Sequence, residues 1–198
     1  SLPSRGLGDV YKRQDIFLHL LHPSDVSNLL EFEVENREWF EQFVPAREDS
    51  FYSYAGVAEQ VTSFLTEYGN GEMIPMLIKD ANGTICGRIN VRDIDQNAES
   101  GELGYRVGHA FGSKGIASNA VRKLLIYLAE NSSLKYVDAY ALVGNVGSNK
   151  ILSNTGFDLV ERVESYAVFK GKAQDAHYYR KALSLSLIHI SEPTRRKR

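Results

Sequence analysis

From Met73 onward apolar and polar residues fall into short alternating runs. MIPMLIKD and TICGRINVRDI predict two strands joined by a turn at Ala81-Asn82-Gly83, because Asn-Gly favours a tight hairpin. ELGYRV continues the alternation, with Leu103, Tyr105 and Val107 on one side and Glu102, Gly104 and Arg106 on the other. The period then lengthens: Ala117, Ala120, Val121, Leu124, Leu125 and Leu128 recur at helical spacing. KYVDAYALV predicts another strand, and NVGSNKILSNTGF a short helix that starts at Asn145 and stops at Gly156. FDLVERV and AHYYRKAL predict two last strands on either side of a loop around Gly171 and Lys172.

Upstream, IFLHLL (16–21) reads as a first strand, and Ser24 reads as the N-cap for a helix through DVSNLLEFEVEN. Pro45 and the polar residues near Asp49 and Ser50 suggest a loop, after which Val57, Val61, Phe64 and Leu65 mark a helix ended by Gly69 and Gly71. The order is strand, two helices, three strands, helix, strand, helix, two strands. That order is α/β (α+β), a mixed sheet with hairpins rather than a regular βαβ alternation.

The length, 198 residues, fits one domain with a sizeable core. The ends depart from the pattern: SLPSRGLGDVYKRQ (1–14) and SLSLIHISEPTRRKR (184–198) lack amphipathic period and are read as non-native, adaptor-derived stretches flanking a domain over 15–183. They carry net charges of +2 and +3, so the overall −2 leaves −7 for the middle. An acidic middle argues against a nonspecific nucleic-acid binder. No apolar run reaches the length of a membrane span, and the single cysteine, Cys86, excludes an internal disulfide framework and fits a reducing, cytoplasmic setting. The histidines at 19, 22, 109 and 177 form no convincing ligand set, so no metal is expected.

The candidate chemistry sits at GHAFGSKGIAS (108–118), a glycine-rich junction between a strand and a long helix. The nucleotide P-loop pattern fails because Ser113 intervenes before Lys114, and the Rossmann fingerprint fails because no two of these glycines are two apart. What remains is an anion site: small residues allow close approach, and free amides at the helix start point at the ligand. Lys114 either adds charge to that site or is a solvated surface lysine.

ELGYRVGHAFGSKGIASNAV resembles the acyl-CoA-binding motif of the GNAT superfamily of N-acetyltransferases, with Gly112, Ser113, Lys114, Gly115, Ile116 and Ala117 at its six loop positions. NVGSNKILSNTGF resembles the family's second signature, about thirty residues further on. ENREWF and the later PAR look most like the subgroup that includes ribosomal-protein-alanine N-acetyltransferases. The resemblance implies a mostly antiparallel sheet of six to seven strands flanked by about four helices. It also implies acetyl-CoA as cosubstrate, direct acetyl transfer to a primary amine, and backbone amides near Arg106 and Val107 meeting the oxyanion. Gly112 departs from the usual Gln or Arg, and Ser113 from the usual glycine, which implies a looser hold on CoA.

Within that frame Glu102 is the first candidate base, or else a carboxylate on an exposed strand face, and Glu38 is the second. Ser148, three residues after Asn145, either protonates the leaving thiolate or satisfies local backbone. Relatives often use a tyrosine in this helix, where this chain has Ile151-Leu152. Trp39 and Tyr52 are candidate walls of the amine pocket; Phe40 reads better as core. The acceptor is a protein N-terminus or a small-molecule amine, without nucleic acid or membrane as partner; a homodimer fits, but the sequence does not choose an assembly. The alternative is a non-catalytic acyl-CoA-binding sensor or interaction module.

Overall fold

In the computed structural model residues 15–184 are described; the terminal stretches 1–14 and 185–198 lie outside the described residues. The strands are β1 (Ile16–Leu20), β2 (Ile74–Asp80), β3 (Ile85–Asp95), β4 (Ser100–Val107), β5 (Tyr136–Leu142), β6 (Asp158–Phe169) and β7 (Lys172–Ala182). The helices are α1 (Val26–Glu35), α2 (Arg37–Phe40), α3 (Tyr54–Gly69), α4 (Ile116–Asn131) and α5 (Val146–Asn154). One seven-stranded sheet has the order β1-β2-β3-β4-β5-β7-β6. Every pairing is antiparallel except β4 with β5, which α4 joins as a parallel crossover.

Alternation along the strands splits the core in two. Ile89, Val91, Leu103, Val137 and Ala139 face α4, whose buried stripe is Ile116, Ala120, Val121, Leu124, Leu125 and Leu128. Leu77 and Ile85 face the other way and pack under α1 and α3 with Leu29, Phe32, Phe40, Val57 and Val61. Phe40 is therefore core.

Two local expectations are corrected. Ser24 is not a cap: His22 caps the turn before α1, accepting the Ser24 N–H on Nδ1 at 3.1 Å while Asp25 accepts the His22 N–H at 2.8 Å. An imidazole nitrogen accepts as well as a hydroxyl does, so the residue two positions earlier takes the role. The last two strands run far past FDLVERV and AHYYRKAL, to a turn at Lys170-Gly171 where both residues have positive φ. Their register slips between Val163 and Ala167, where Ser165 takes a positive φ and donates its N–H to Asp175. A bulge of this kind breaks the apolar alternation on which a strand prediction rests.

Candidate active site

β4 and β5 pair only from Ser100↔Tyr136 to Leu103↔Ala139, then part. β5 follows β7 as far as Leu142, and β4 follows β3 as far as Val107. The result is a gap in mid-sheet. Which β4 groups face it follows from the ladder: the Gly108 N–H bonds Cys86 O at 2.8 Å, and antiparallel residues alternate between pairs that exchange hydrogen bonds and pairs that do not. Arg106 and Gly104 therefore turn their N–H groups to β3, while Tyr105 and Val107 turn theirs into the gap. Of the two amides named from sequence, Val107 points into the opening and Arg106 is spent on the sheet.

At the top of the gap the chain enters the glycine loop. Asn36, buried at the end of α1, accepts the His109 N–H on Oδ1 at 2.9 Å and donates from Nδ2 to Phe32 O. Trp39 stacks on the His109 ring at 4.3 Å between centroids, so this indole braces the approach to the loop. Gly112, Ser113 and Gly115 are exposed, Lys114 is half-buried near the Cys86 thiol, and Ile116 is core. Ser113 and Gly115 both hold positive φ, 59° and 72°.

The first helical bond of α4 is Asn119 N–H to Gly115 O, and no side chain caps the helix. The N–H groups of Ile116, Ala117 and Ser118 are thus left for a ligand, at the positive end of a 16-residue helix with no acidic residue in its first turn. These residues fit a pyrophosphate, and with it CoA.

On the α4 side, Tyr105 of β4 reaches across the gap to α5, its hydroxyl 2.9 Å from Ser148 Oγ. Burial pushes the Tyr105 phenol up to about 12. Asn145 caps α5, accepting the Ser148 N–H at 3.1 Å, which places the serine in the first turn. One residue on, Asn149 donates to Leu142 O and Asn145 O and accepts from Tyr179 OH at 2.6 Å. With its NH₂ committed to two carbonyls, Asn149 Oδ1 must accept from His177 Nδ1 as well, 2.8 Å away. This knot fixes α5 against β5 and β7.

On the opposite face, Glu102 lies 17% exposed with Oε2 accepting from Arg92 Nε at 2.8 Å. Tyr140 stacks between Tyr166 and Tyr178, each at 4.9 Å, beside it. Burial and then the carboxylates of Asp138 and Glu102 hold the Tyr140 phenol above its ordinary value; burial and then Glu102 do so for Tyr166. Further up the same face Arg106 lies under α2, its guanidinium 4.9 Å over the Phe40 ring. Tyr52 is half-buried beneath the Arg37 guanidinium at 4.0 Å, and Glu38 is exposed.

The Tyr105 partner of Ser148, the Asn149 knot and the Asn36 brace went unremarked in the sequence. For Tyr105 the signal was its place in the GYRV run; for Asn149, nothing in spacing marks which helix asparagine turns inward. Among the described residues no group of three or more His, Cys, Asp or Glu could hold a metal, and no helix is long and apolar enough to cross a membrane.

Residues 15–158 match the Acetyltransferase (GNAT) domain family. The chain is 28% identical over 167 residues to the putative ribosomal N-acetyltransferase YdaF of Bacillus subtilis (strain 168), covering 83% of this chain and 84% of that protein. Its fold is similar to ribosomal-protein-S5-alanine acetyltransferase from Vibrio fischeri, with a TM-score of 0.81, 20% identity, and coverage of 85% and 93% of the two chains. It is also similar to RimL, a ribosomal L7/L12 alpha-N-protein acetyltransferase solved with Coenzyme A, with a TM-score of 0.79, 18% identity, and coverage of 85% and 94%. The chain belongs to the GNAT family of acetyl-CoA-dependent acetyltransferases.

Proposed function

We propose that this member of the GNAT family is an N-acetyltransferase that moves acetyl from acetyl-CoA directly to a primary amine, either a protein N-terminus or a small molecule. The gap between β4 and β5 carries the reading, because it joins an uncapped helix N-terminus at one end to paired hydroxyls at its lip. The amides of Ile116, Ala117 and Ser118 hold the pyrophosphate, with Gly112, Ser113, Lys114 and Gly115 shaping the loop. Acetyl-CoA supplies the activated thioester.

The remaining steps fall to this chain's own groups. A lysine-like amine is neutral in roughly one molecule in a thousand at pH 7, so a carboxylate that takes its proton helps the attack. Glu102, on the face open to an acceptor, has that role directly or through water, and Arg92 fixes its orientation. The Val107 N–H, aimed into the gap, meets the oxyanion. Ser148 protonates the departing thiolate and regains its proton from solvent; Asn145 holds its turn, and Tyr105, whose phenol stays protonated across the working range, backs it with a second O–H. Trp39 braces the loop through His109 and, with Tyr52 near Arg106, walls the acceptor side.

The test follows acetyl-CoA thiol release with an amine that turns over. Ser148→Ala and Tyr105→Phe should lower kcat with little change in KM for acetyl-CoA. Unchanged kcat in both variants would remove the hydroxyl pair from the mechanism.

A further inference from the structure

Glu33 of α1 is wholly buried and faces three arginines. Arg88 Nη1 donates to its Oε1 at 2.9 Å and to Gln60 Oε1 at 2.7 Å; Arg47 Nη1 donates to its Oε2 at 2.8 Å. Each carboxylate oxygen thereby accepts from one guanidinium. Arg106 comes third, its Nη1 4.0 Å from Oε2, beyond hydrogen-bond length. One carboxylate against three guanidiniums leaves a charge of +2. A buried cluster gains nothing in stability from surplus like charge, so the third arginine calls for another explanation.

Its position supplies one. Arg106 and Glu102 lie on the same face of β4, four residues apart, so about 13 Å separates them along the strand. Gly104 is midway, and a Cβ there would meet nothing within 4 Å, so the floor between them is open. Arg106 and Arg47 keep 27% and 24% of their side chains exposed, while Arg88 keeps 4%. Phe40 and Phe51 lie against the Arg106 and Arg47 guanidiniums at 4.9 and 4.4 Å and hold them without neutralising them. The opening over Gly104 thus has surplus cationic charge at the α2 end and the Arg92-paired carboxylate of Glu102 at the other.

We propose that Arg106, assisted by Arg47, binds an anionic group of the acceptor, so that the preferred acceptor is a primary amine carrying a carboxylate or a phosphate. The proposal rests on the acetyltransferase reading and deepens it: the amine lies over Gly104 toward Glu102 and the anion lies against the guanidiniums.

The test measures kcat/KM with the whole chain on matched acceptors: amino acids against their amides, peptides with Asp against Asn at the second position, and aminoalkyl phosphates against amino alcohols. The anionic member of at least one pair should lead by about tenfold or more, the scale of a charge-assisted hydrogen bond, mostly through KM. The carboxylate and phosphate arms tell the two anions apart. Arg106→Gln and Arg47→Gln should each erase most of that lead, and Arg106→Lys should restore part of it. N-acetylated anionic products, titrated by NMR, should shift the Arg106 and Arg47 side-chain resonances without turnover. Equal rates within every pair, or a lead indifferent to both glutamine variants, would overturn the proposal while leaving the acetyltransferase reading in place. No turnover on any amine would instead overturn that reading, and absence of product binding would then remove the anion site too.

Discussion

Glu33→Gln tests the charge cluster on which the acceptor side is built. The substitution keeps the shape of the side chain and removes the one negative charge among Arg47, Arg88 and Arg106. Arg88, 4% exposed, keeps only its bond to Gln60 as a polar partner of full strength. Breaking a buried pair by removing one member costs about 3–5 kcal/mol, because the other charge stays buried and uncompensated. For a chain of this size each kcal/mol moves Tm by roughly 2–4 °C, so the expected fall is on the order of 6–20 °C at pH 7, read by calorimetry. Arg106→Gln is the internal control, since it relieves surplus charge and should leave Tm nearly unchanged. The pH dependence has a definite sign. Burial pushes the Glu33 carboxyl up, but the pull of Arg88, Arg47 and Arg106 outweighs it, so the folded pKa lies below the ordinary 4.5. Its contribution is then full above about pH 4.5 and is lost as pH falls through the lower folded value. The gap between wild type and Glu33→Gln should close in acid. A Tm change under about 3 °C at pH 7, or a gap that widens on acidification, would refute the reasoning.

Gly115→Val places a β-branched residue at φ 72°, a strain of about 1–3 kcal/mol in the loop; CoA affinity by isothermal titration should fall about tenfold or more. Asn149→Ala strips the Tyr179 hydroxyl, on a residue 6% exposed, of its acceptor and frees α5 from β5, for an expected loss of about 1–3 kcal/mol in urea unfolding. Tyr105, raised to about 12, favours the neutral phenol in the folded state; that contribution is full below about pH 10 and is lost as pH rises toward 12. Tyr105→Phe should therefore lose less stability than wild type between those values in alkaline unfolding. Cys86 is fully buried with its thiol raised to about 11, chiefly by burial, so iodoacetamide should label it only after denaturation.

Most of the fold was legible because its signals are local. The alternation in 73–95, the Asn-Gly turn and the helical stripe from Ala117 to Leu128 each specify their element without help from distant residues. The cap at His22 was not legible, since it depends on an imidazole orientation that no spacing reports. Nor were the long final strands, because the bulge at Ser165 interrupts the alternation at the point where the strand bends. At the site, the amide-lined loop and the Asn145–Ser148 turn lie within single segments and could be read directly. The Glu33 cluster gathers residues from α1, the loop after α2 and two strands, with Arg88 55 positions along the chain from Glu33. Only the packed fold brings those charges together.

The most direct test of the acetyltransferase reading is the initial rate of thiol release from acetyl-CoA with a panel of primary amines, wild type beside Ser148→Ala. Amine-dependent turnover that saturates in acetyl-CoA, with an acetylated product by mass spectrometry and a lower kcat in the variant, is the expected result. Saturable CoA binding without turnover on any amine would contradict it and leave a binding module in its place.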